Sequence, residues 1–201
     1  MENLIKKNRI FFDRIAKYYD FSIFKKWQKN VKNTAFEMIY IKDHSKVLDA
    51  GCGTGSLLDT LNQMNKNLQL YGIDISPVML KIAKKKSIRA HFKLSSVEEI
   101  NEKEFYDYVF STDAFHHYEN QDLAMQNFYR ALKKEGYLII IDFDFRIFNN
   151  IFHKIEPGNS KMNSSLQLKN LFKKYGFKEV KQKRVGLVNV ITIGRKNRQN
   201  S

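Results

Sequence analysis

Short, almost continuously apolar runs alternate along this chain with longer stretches in which apolar residues recur at helical spacing. Five of these runs are rich in apolar and β-prone residues, which predicts buried strands. They lie at Val47–Leu48, Leu70–Ile73, His91–Leu94, Tyr106–Phe110 and Tyr137–Asp142. Because strands that alternate with helices form a parallel sheet covered on both faces, the pattern predicts an α/β fold.

The stretches between these runs carry helix start and stop signals. Ser76 can cap a helix whose first residue is a proline, a residue that suits this position. The segment Asn120–Gly136 predicts a second helix that its glycine terminates, and Leu166–Tyr175 predicts a third that ends before Gly176. Strands and helices therefore follow one another as βα units.

The C-terminal part of the chain departs from this alternation. Phe177–Val185 and Leu187–Gly194 predict two strands joined around Gly186 as an antiparallel hairpin. The whole pattern predicts a doubly wound, Rossmann-like, seven-stranded and mostly parallel sheet with this hairpin at its C-terminal end. The irregular segment Phe145–Ser165 is expected to be an insertion over the functional site that shapes its pocket.

The segment before the first strand, residues 1–40, is predicted to be helical. Phe11, Ile15, Ile23 and Trp27 recur at helical spacing, with lysines and arginines in much of the remainder. Three interpretations stay open: a helix packed on the sheet, a lid over a bound ligand, and a helix on a membrane surface. We favour the lid.

A glycine-rich turn follows the first predicted strand. In the sequence VLDAGCGTG, Gly51, Gly53 and Gly55 lead into the next helix. Glycines lack a Cβ, so a ligand can touch the backbone, and the helix N-terminus offers free N–H groups. The spacing differs from the G-x-G-x-x-G that meets a pyrophosphate in dinucleotide-binding folds. Asp49 would repel a pyrophosphate and would suit a ligand with a cationic end.

A second acidic residue, Asp74, ends the next predicted strand. A carboxylate at that strand end can accept hydrogen bonds from both hydroxyls of a ribose. The two features together predict a ligand with a ribose, an adenine and a positive group near the glycine turn. S-adenosylmethionine, with its ammonium and sulfonium charges, fits this description.

The sequences VLDAGCGTG and YGIDIS resemble the class I S-adenosylmethionine-dependent methyltransferase family. They are most similar to its small single-domain branch, which includes the ubiquinone/menaquinone-type enzymes. The resemblance implies the strand order 3-2-1-4-5-7-6 with one antiparallel strand. It also implies a helical lid segment at residues 1–40 and an S-adenosylmethionine-binding methyltransferase domain at residues 41–201, within a single domain overall.

The resemblance extends the cofactor site beyond the glycine turn. Ser95–Ile100 matches the family's G-D-A-E-D-L loop beside the adenine, although Ser96 stands where the family usually has an aspartate. The full predicted cofactor set is Asp49, Gly51, Cys52, Gly53, Gly55, Asp74, Ile75, Met79, Ser96, Val97 and Ser111.

Two residues are predicted to border the transferred methyl group. Ser111–Tyr118 resembles the L-H-H-L motif after the fourth strand, and a histidine suits proton transfer near neutral pH. Neighbouring histidines point in different directions, so we expect one of them, His116, to reach the site. Phe12–Asp20 resembles the family's F-x-x-x-A-x-x-Y-D stretch, which assigns Tyr19 to closing the pocket.

A metal site is not expected from the sequence. Asp142 and Asp144 share one face if the fifth strand continues, but neither a His-x-x-x-His motif nor a cysteine pair accompanies them. The single cysteine, Cys52, cannot form an internal disulfide, which favours a reducing cytoplasm. A charged N-terminus without an apolar core predicts no signal peptide, and the longest apolar run is too short to span a membrane.

The charge of the chain leaves the choice of partner open. A net charge of +14 could attract RNA or anionic lipid, but the lysines are scattered through every segment. Ser111–Ala114 differs from the Asn/Asp-Pro-Pro-aromatic motif of amino-directed DNA methyltransferases. We therefore expect a small-molecule acceptor. The alternatives are an RNA-directed methyltransferase, a non-catalytic basic binding module on the same fold and, disfavoured by Asp49, a nicotinamide-dependent oxidoreductase.

Overall fold

The computed structural model describes residues 2–19, 23–64, 67–86, 88–145 and 161–197 of the chain. Within these ranges the side chains of residues 2–4, 18–19 and 23–27 are left out of the description. Most of the predicted insertion Phe145–Ser165 and the side chain of Trp27 therefore lie outside the described residues.

Seven strands form one sheet in the order β3-β2-β1-β4-β5-β7-β6. Strand β7 is antiparallel to both of its neighbours, while the pairs from β3 to β5 are parallel. The predicted fold class and strand order are thus confirmed. The strands are β1 Lys46–Ala50, β2 Gln69–Asp74, β3 Ala90–Leu94, β4 Tyr106–Thr112, β5 Leu132–Phe143, β6 Phe177–Val185 and β7 Asn189–Lys196.

Six α-helices accompany the sheet in the described part of the chain, and their caps follow from local sequence. The Ser76 side chain accepts a hydrogen bond from the Met79 N–H, and the Asn120 side chain accepts one from the Leu123 N–H. The helices are α1 Glu2–Tyr19, α2 Ile23–Met38, α3 Ser56–Asn62, α4 Pro77–Lys85, α5 Gln121–Ala131 and α6 Ser165–Lys174.

The core lies on both faces of the sheet, because successive residues of the central strands point to opposite sides. On one face Val47 and Phe110 pack with apolar residues of α2 and α3. On the other face Leu48 and Val109 pack with Phe128 of α5 and with residues of α6. The alternation explains why these strands are apolar almost throughout.

The boundary between α5 and β5 differs from the prediction. The helix ends at Ala131, and Leu132 already pairs with Tyr106 as the first residue of β5. Residues 133–136 form an irregularity in the strand, since the register passes from Tyr106↔Leu132 to Tyr108↔Tyr137. The helical prediction for this segment is wrong because pairing with β4 overrides the local preference of its lysines and glutamate for helix.

The carboxyl ends of β1 and β4 form the crevice of the sheet. From β1 the chain goes on to β2 and β3 on one side, while β4 and β5 lie on the other, so this is the topological switch point. In the described part of the chain, no helix combines the length and apolar character needed to cross a membrane.

Candidate functional site

The glycine turn after β1 is held tightly to the end of β2. The N–H groups of Gly51 and Cys52 both donate to the Ile73 carbonyl at 2.9 Å, and the Gly55 N–H donates to the Cys52 carbonyl at 2.8 Å. Gly51, Gly53 and Gly55 have φ of 73°, 51° and 78°, a region that other residues occupy only with strain.

The three glycines serve different purposes. A Cβ on Gly53 would meet nothing within 4 Å, so this residue faces open space. A Cβ on Gly51 would lie 2.7 Å from the Ala114 Cβ, and one on Gly55 would lie 3.2 Å from both the Ala83 Cβ and the Ile88 Cδ1. Gly51 and Gly55 therefore allow close packing within the protein, whereas Gly53 leaves room for a ligand.

Asp74 fastens the end of β2 to the glycine turn. Its Oδ2 accepts a hydrogen bond from the Gly53 N–H and its Oδ1 accepts one from the Ser76 N–H, both at 2.8 Å. Burial raises the pKa of Asp74, although these two N–H groups oppose the change. The carboxyl group lies on the cavity and retains lone pairs for further donors.

Asp49 is a buried carboxyl group that lacks a full set of partners. It is 2% exposed, and its Oδ1 has no hydrogen-bond partner among the described residues. Burial raises its pKa to about 7, the Lys32 cation lowers it and the Asp74 charge raises it. Such a group would be stabilised by a cationic ligand.

A cavity of about 970 Å³, including its opening to solvent, occupies the switch point. All of the predicted cofactor residues except Gly55 and Ser111 line it: Asp49, Gly51, Cys52, Gly53, Asp74, Ile75, Met79, Ser96 and Val97. Ser111 is buried in β4, and its Oγ is 2.8 Å from the Tyr118 hydroxyl, which donates to the Ala50 carbonyl. Ser111 therefore helps to hold Tyr118, which ties the loop after β4 to β1.

The segment after β3 forms the wall of the cavity near Ser96. Glu99 Oε2 accepts hydrogen bonds from the Ser96 N–H and the Ser95 hydroxyl, both at 2.9 Å. These bonds lower the pKa of Glu99. Asn127 of α5, which the sequence did not single out, donates to the carbonyls of Val97 and Glu98 at 3.0 Å and holds the loop.

The structure places His117, rather than His116, on the cavity. His116 is 2% exposed, and its ring Nδ1 forms a hydrogen bond with Asp142 Oδ1. Its backbone N–H donates to Asp142 Oδ2 at 3.0 Å. The two histidines belong to one turn of 3₁₀ helix, in which successive side chains point about 120° apart. The side chain of Tyr19 lies outside the described residues, and its role stays a prediction.

The N-terminal helices supply lining residues that sequence reasoning missed. Asn8 Nδ2 donates to the His117 carbonyl at 3.0 Å, and Gln28 Nε2 donates to Asp113 Oδ2 at 3.2 Å. Lys32 Nζ donates to Ser56 Oγ at 2.7 Å, at the start of α3. The helical spacing of residues 1–40 gave no signal for these polar positions, because they depend on how α1 and α2 pack.

Asp113 is a further carboxyl group on the cavity that the sequence analysis did not select. It follows β4, has φ of 51°, and has an Oδ1 without a hydrogen-bond partner among the described residues. Burial raises its pKa to about 7 and Asp142 adds to this, while His116, Lys32 and the Gln28 amide lower it. Its position before the two histidines was the available signal.

The two aspartates considered for a metal have protein partners. Asp142 accepts from His116, and Asp144 Oδ2 is 2.5 Å from Arg184 Nη2 and accepts from the Ser165 N–H at 3.0 Å. Within the described ranges, no group of three or more His, Cys, Asp or Glu side chains is arranged to hold a metal ion.

Comparison with known proteins gives a consistent result. Residues 41–186 match a family model described as a methyltransferase domain. A malonyl-[acyl-carrier protein] O-methyltransferase of Acetivibrio thermocellus is 28% identical over 155 residues, which cover 75% of this chain and 54% of that protein. A demethylmenaquinone methyltransferase of Thermotoga maritima is 30% identical over 142 residues, which cover 65% of this chain and 59% of that protein. The chain thus spans little more than half the length of these curated relatives.

A solved structure supports the fold. Magnesium protoporphyrin IX methyltransferase from Synechocystis, with bound S-adenosylhomocysteine, superposes with a TM-score of 0.73. The alignment covers 96% of this chain and all of that one, at 19% identity.

Proposed function

Because the chain belongs to the class I S-adenosylmethionine-dependent methyltransferase family, we propose that it transfers a methyl group from S-adenosylmethionine to a small-molecule acceptor. The observation that carries this proposal is the arrangement around the glycine turn. A buried, incompletely bonded Asp49, the open space at Gly53 and the Asp74 carboxylate line one cavity at the switch point of the sheet.

The lining residues fit the parts of this cofactor. Asp49 would meet the ammonium group, and Lys32 of α2, whose Nζ lies at the start of α3, would meet the carboxylate of the methionine part. Asp74 would accept the ribose hydroxyls, and Ile75, Met79, Ser96 and Val97 would frame the adenine. When bound, S-adenosylmethionine supplies a methyl group on a sulfonium sulfur, which is a good leaving group. Positioning of the acceptor then supplies much of the rate.

The N-terminal helices would act as the lid over this cavity. Asn8 and Phe12 of α1 and Gln28 and Lys32 of α2 line it, which supports the proposed role of residues 1–40. The ring of Phe12 packs edge-on against that of His117, with centroids 5.0 Å apart. We assign His117, which contacts the cavity, to the part of the cavity that would hold the methyl acceptor, while His116 would position the loop through Asp142.

Thermal unfolding with added ligands tests the proposal. At about 100 times its dissociation constant, a ligand stabilises the folded state by about 2.7 kcal/mol, which raises Tm by about 5–10 °C for a chain of this size. We expect S-adenosylmethionine and S-adenosylhomocysteine to produce such a shift. NADH is the matched control, and stabilisation by NADH alone would instead support the oxidoreductase alternative.

A further inference from the structure

One part of the cavity is formed by Asn8, Gln28, Asp113 and His117 and is here called the acceptor side, after the methyl acceptor. It contains oxygen atoms that could accept hydrogen bonds but have no donor in the described part of the chain. Asn8 Oδ1 and Asp113 Oδ1 are both buried and have no hydrogen-bond partner among the described residues. Burying an acceptor oxygen without a donor is unfavourable, so a ligand that supplies donors would recover that free energy.

The orientation of the Asn8 amide is fixed by a contact on its other end. Asn8 lines the cavity and is 2% exposed, and its Nδ2 donates to the His117 carbonyl at 3.0 Å, which leaves the buried Oδ1 as its incompletely bonded atom. Asp113 is held similarly, because Gln28 Nε2 donates to its Oδ2 at 3.2 Å and leaves Oδ1. Both residues therefore present an oxygen that needs a donor.

The charge of the cavity wall is opposite in sign to that of the whole chain. Among the described lining residues there are five acidic residues and one lysine: Asp49, Asp74, Glu98, Asp113, Glu119 and Lys32. The chain as a whole carries a net charge of +14. An acceptor with a carboxylate or phosphate would meet repulsion from this wall, whereas a cation would be attracted.

We propose that the methyl acceptor is a protonated amine whose N–H groups are held by Asp113 and Asn8. The inference rests on the proposed function and specifies its substrate class. An ammonium group supplies up to three donors and a positive charge, which match two incompletely bonded oxygens and an acidic wall. A neutral alcohol would supply one donor and no charge.

Asp113 would also receive the proton that the amine must lose. The ammonium group gives one proton to the Asp113 carboxylate, and the lone pair thus freed on nitrogen forms the bond to the methyl carbon. The carbon–sulfur bond breaks with its electron pair on sulfur, so the products are a methylated ammonium, a neutral thioether and a protonated Asp113. Burial and the charge of Asp142 of β5 raise the pKa of Asp113 to about 7, although His116 and Lys32 of α2 oppose the change. The pKa of Asp113 is thereby brought closer to that of an amine, which favours the proton transfer.

Matched probes test this substrate class. Three amines, isobutylamine, 2-phenylethylamine and tryptamine, are titrated into protein saturated with S-adenosylhomocysteine, each beside the alcohol and the carboxylate of the same skeleton. We expect at least one amine to bind about tenfold more tightly than both of its partners. Equal or weaker binding of the amine in all three sets would overturn the proposal.

The substitution Asp113→Asn tests the assigned residue. Asparagine tolerates the positive φ of this position, so the variant should fold. We expect it to weaken amine binding about tenfold while the alcohol and S-adenosylhomocysteine bind as in the wild type. Glu37→Gln, at an exposed position of α2, is the control for loss of one negative charge. Unchanged amine binding in Asp113→Asn would contradict the assignment.

The same titrations separate the two proposals. If folded wild-type protein fails to bind S-adenosylhomocysteine, the proposed function itself is wrong. If it binds S-adenosylhomocysteine but shows no preference for amines, only the substrate class is wrong.

Discussion

Burial raises the pKa of the carboxyl groups of Asp49 and Asp113 to about 7, from an ordinary value near 4. In the folded protein without ligand, both groups hold protons that the unfolded chain has already released between about pH 4 and pH 7. Their contribution to the free energy of unfolding is therefore fully present below about pH 4 and is lost as the pH rises to about 7. Burying these two carboxyl groups in the cavity therefore lowers the free energy of unfolding near pH 7.

Ligand binding should have the opposite pH dependence at Asp49. An ammonium group favours the ionised carboxylate, so we expect the affinity for S-adenosylhomocysteine to rise roughly tenfold between pH 6 and pH 8. The charged groups that act on Asp49 are Lys32 and Asp74. Calorimetric titration of wild type and Asp49→Asn checks this, because the variant should bind more weakly at pH 8 and lose most of the pH dependence. An equally steep dependence in the variant would contradict it.

Substitutions at two glycines should separate ligand binding from stability. In Gly53→Ala the added Cβ enters open space at the cavity, so we expect roughly tenfold weaker binding of S-adenosylhomocysteine with a stability loss of about 1 kcal/mol. In Gly55→Ala the Cβ meets Ala83 and Ile88, so stability should fall further while the folded fraction still binds. Urea unfolding and calorimetry measure the two effects, and the reverse pattern would refute the assignment.

The cavity-lining residues that could be identified from the sequence are those in or next to the glycine-rich turn and the strand ends. Asp49, Gly53 and Asp74 lie within a few residues of strand ends, so their placement follows from local pattern. Asn8 and Gln28 reach the cavity only through the packing of α1 and α2, which no spacing reveals.

Among the elements, the start of β5 depends on a close backbone approach at Gly136. A Cβ there would lie 2.9 Å from the Lys133 carbonyl oxygen and 3.0 Å from that of Asp107. We therefore expect Gly136→Ala to lower the free energy of unfolding by roughly 2–3 kcal/mol. Gly176→Ala is the control, because its Cβ would meet Tyr129 only at 3.5 Å, and its φ of 86° should cost about 1 kcal/mol. Equal losses in denaturant unfolding would argue against the role of Gly136.

Helix α1 is fastened to α4 through one carboxylate. Asp13 Oδ1 accepts a hydrogen bond from the Ser76 hydroxyl at 2.5 Å and is 3.4 Å from the Val78 N–H. We expect Asp13→Ala to speed hydrogen exchange in α1 and to weaken S-adenosylhomocysteine binding about fivefold, since the lid would close less often. The exposed neighbour Arg14 provides the control Arg14→Ala. Faster exchange without any loss of affinity would separate α1 from the lid role.

The whole molecule separates its charges in a way that composition does not disclose. The described exposed residues of α1 and α4 include Lys6, Lys7, Arg9, Arg14, Lys17, Lys81, Lys84 and Lys85, while most of the ionisable residues that line the cavity are acidic. The acidic lining supports a small molecule over a phosphate-bearing strand as acceptor. Partner choice and the cytoplasmic location predicted from the single cysteine remain predictions.

The topology of the sheet was predictable because each strand is marked locally and parallel βα units permit few arrangements. The exception is the irregular segment of residues 133–136. Pairing of Leu132 with Tyr106 joins positions far apart in sequence, and local helix preference carries no information about it.

Calorimetric titration of S-adenosylhomocysteine into wild type and Asp74→Ala, with Glu37→Gln as control, tests the central claim most directly. Asp74 is the proposed hydrogen-bond acceptor for the ribose hydroxyls, and it also accepts a hydrogen bond from the Gly53 N–H. We expect the wild type and the control to bind and the variant to lose about 2–4 kcal/mol, or roughly 30- to 1000-fold in affinity. A folded wild type that does not bind S-adenosylhomocysteine would contradict the assignment of this cavity as a methyl-donor site.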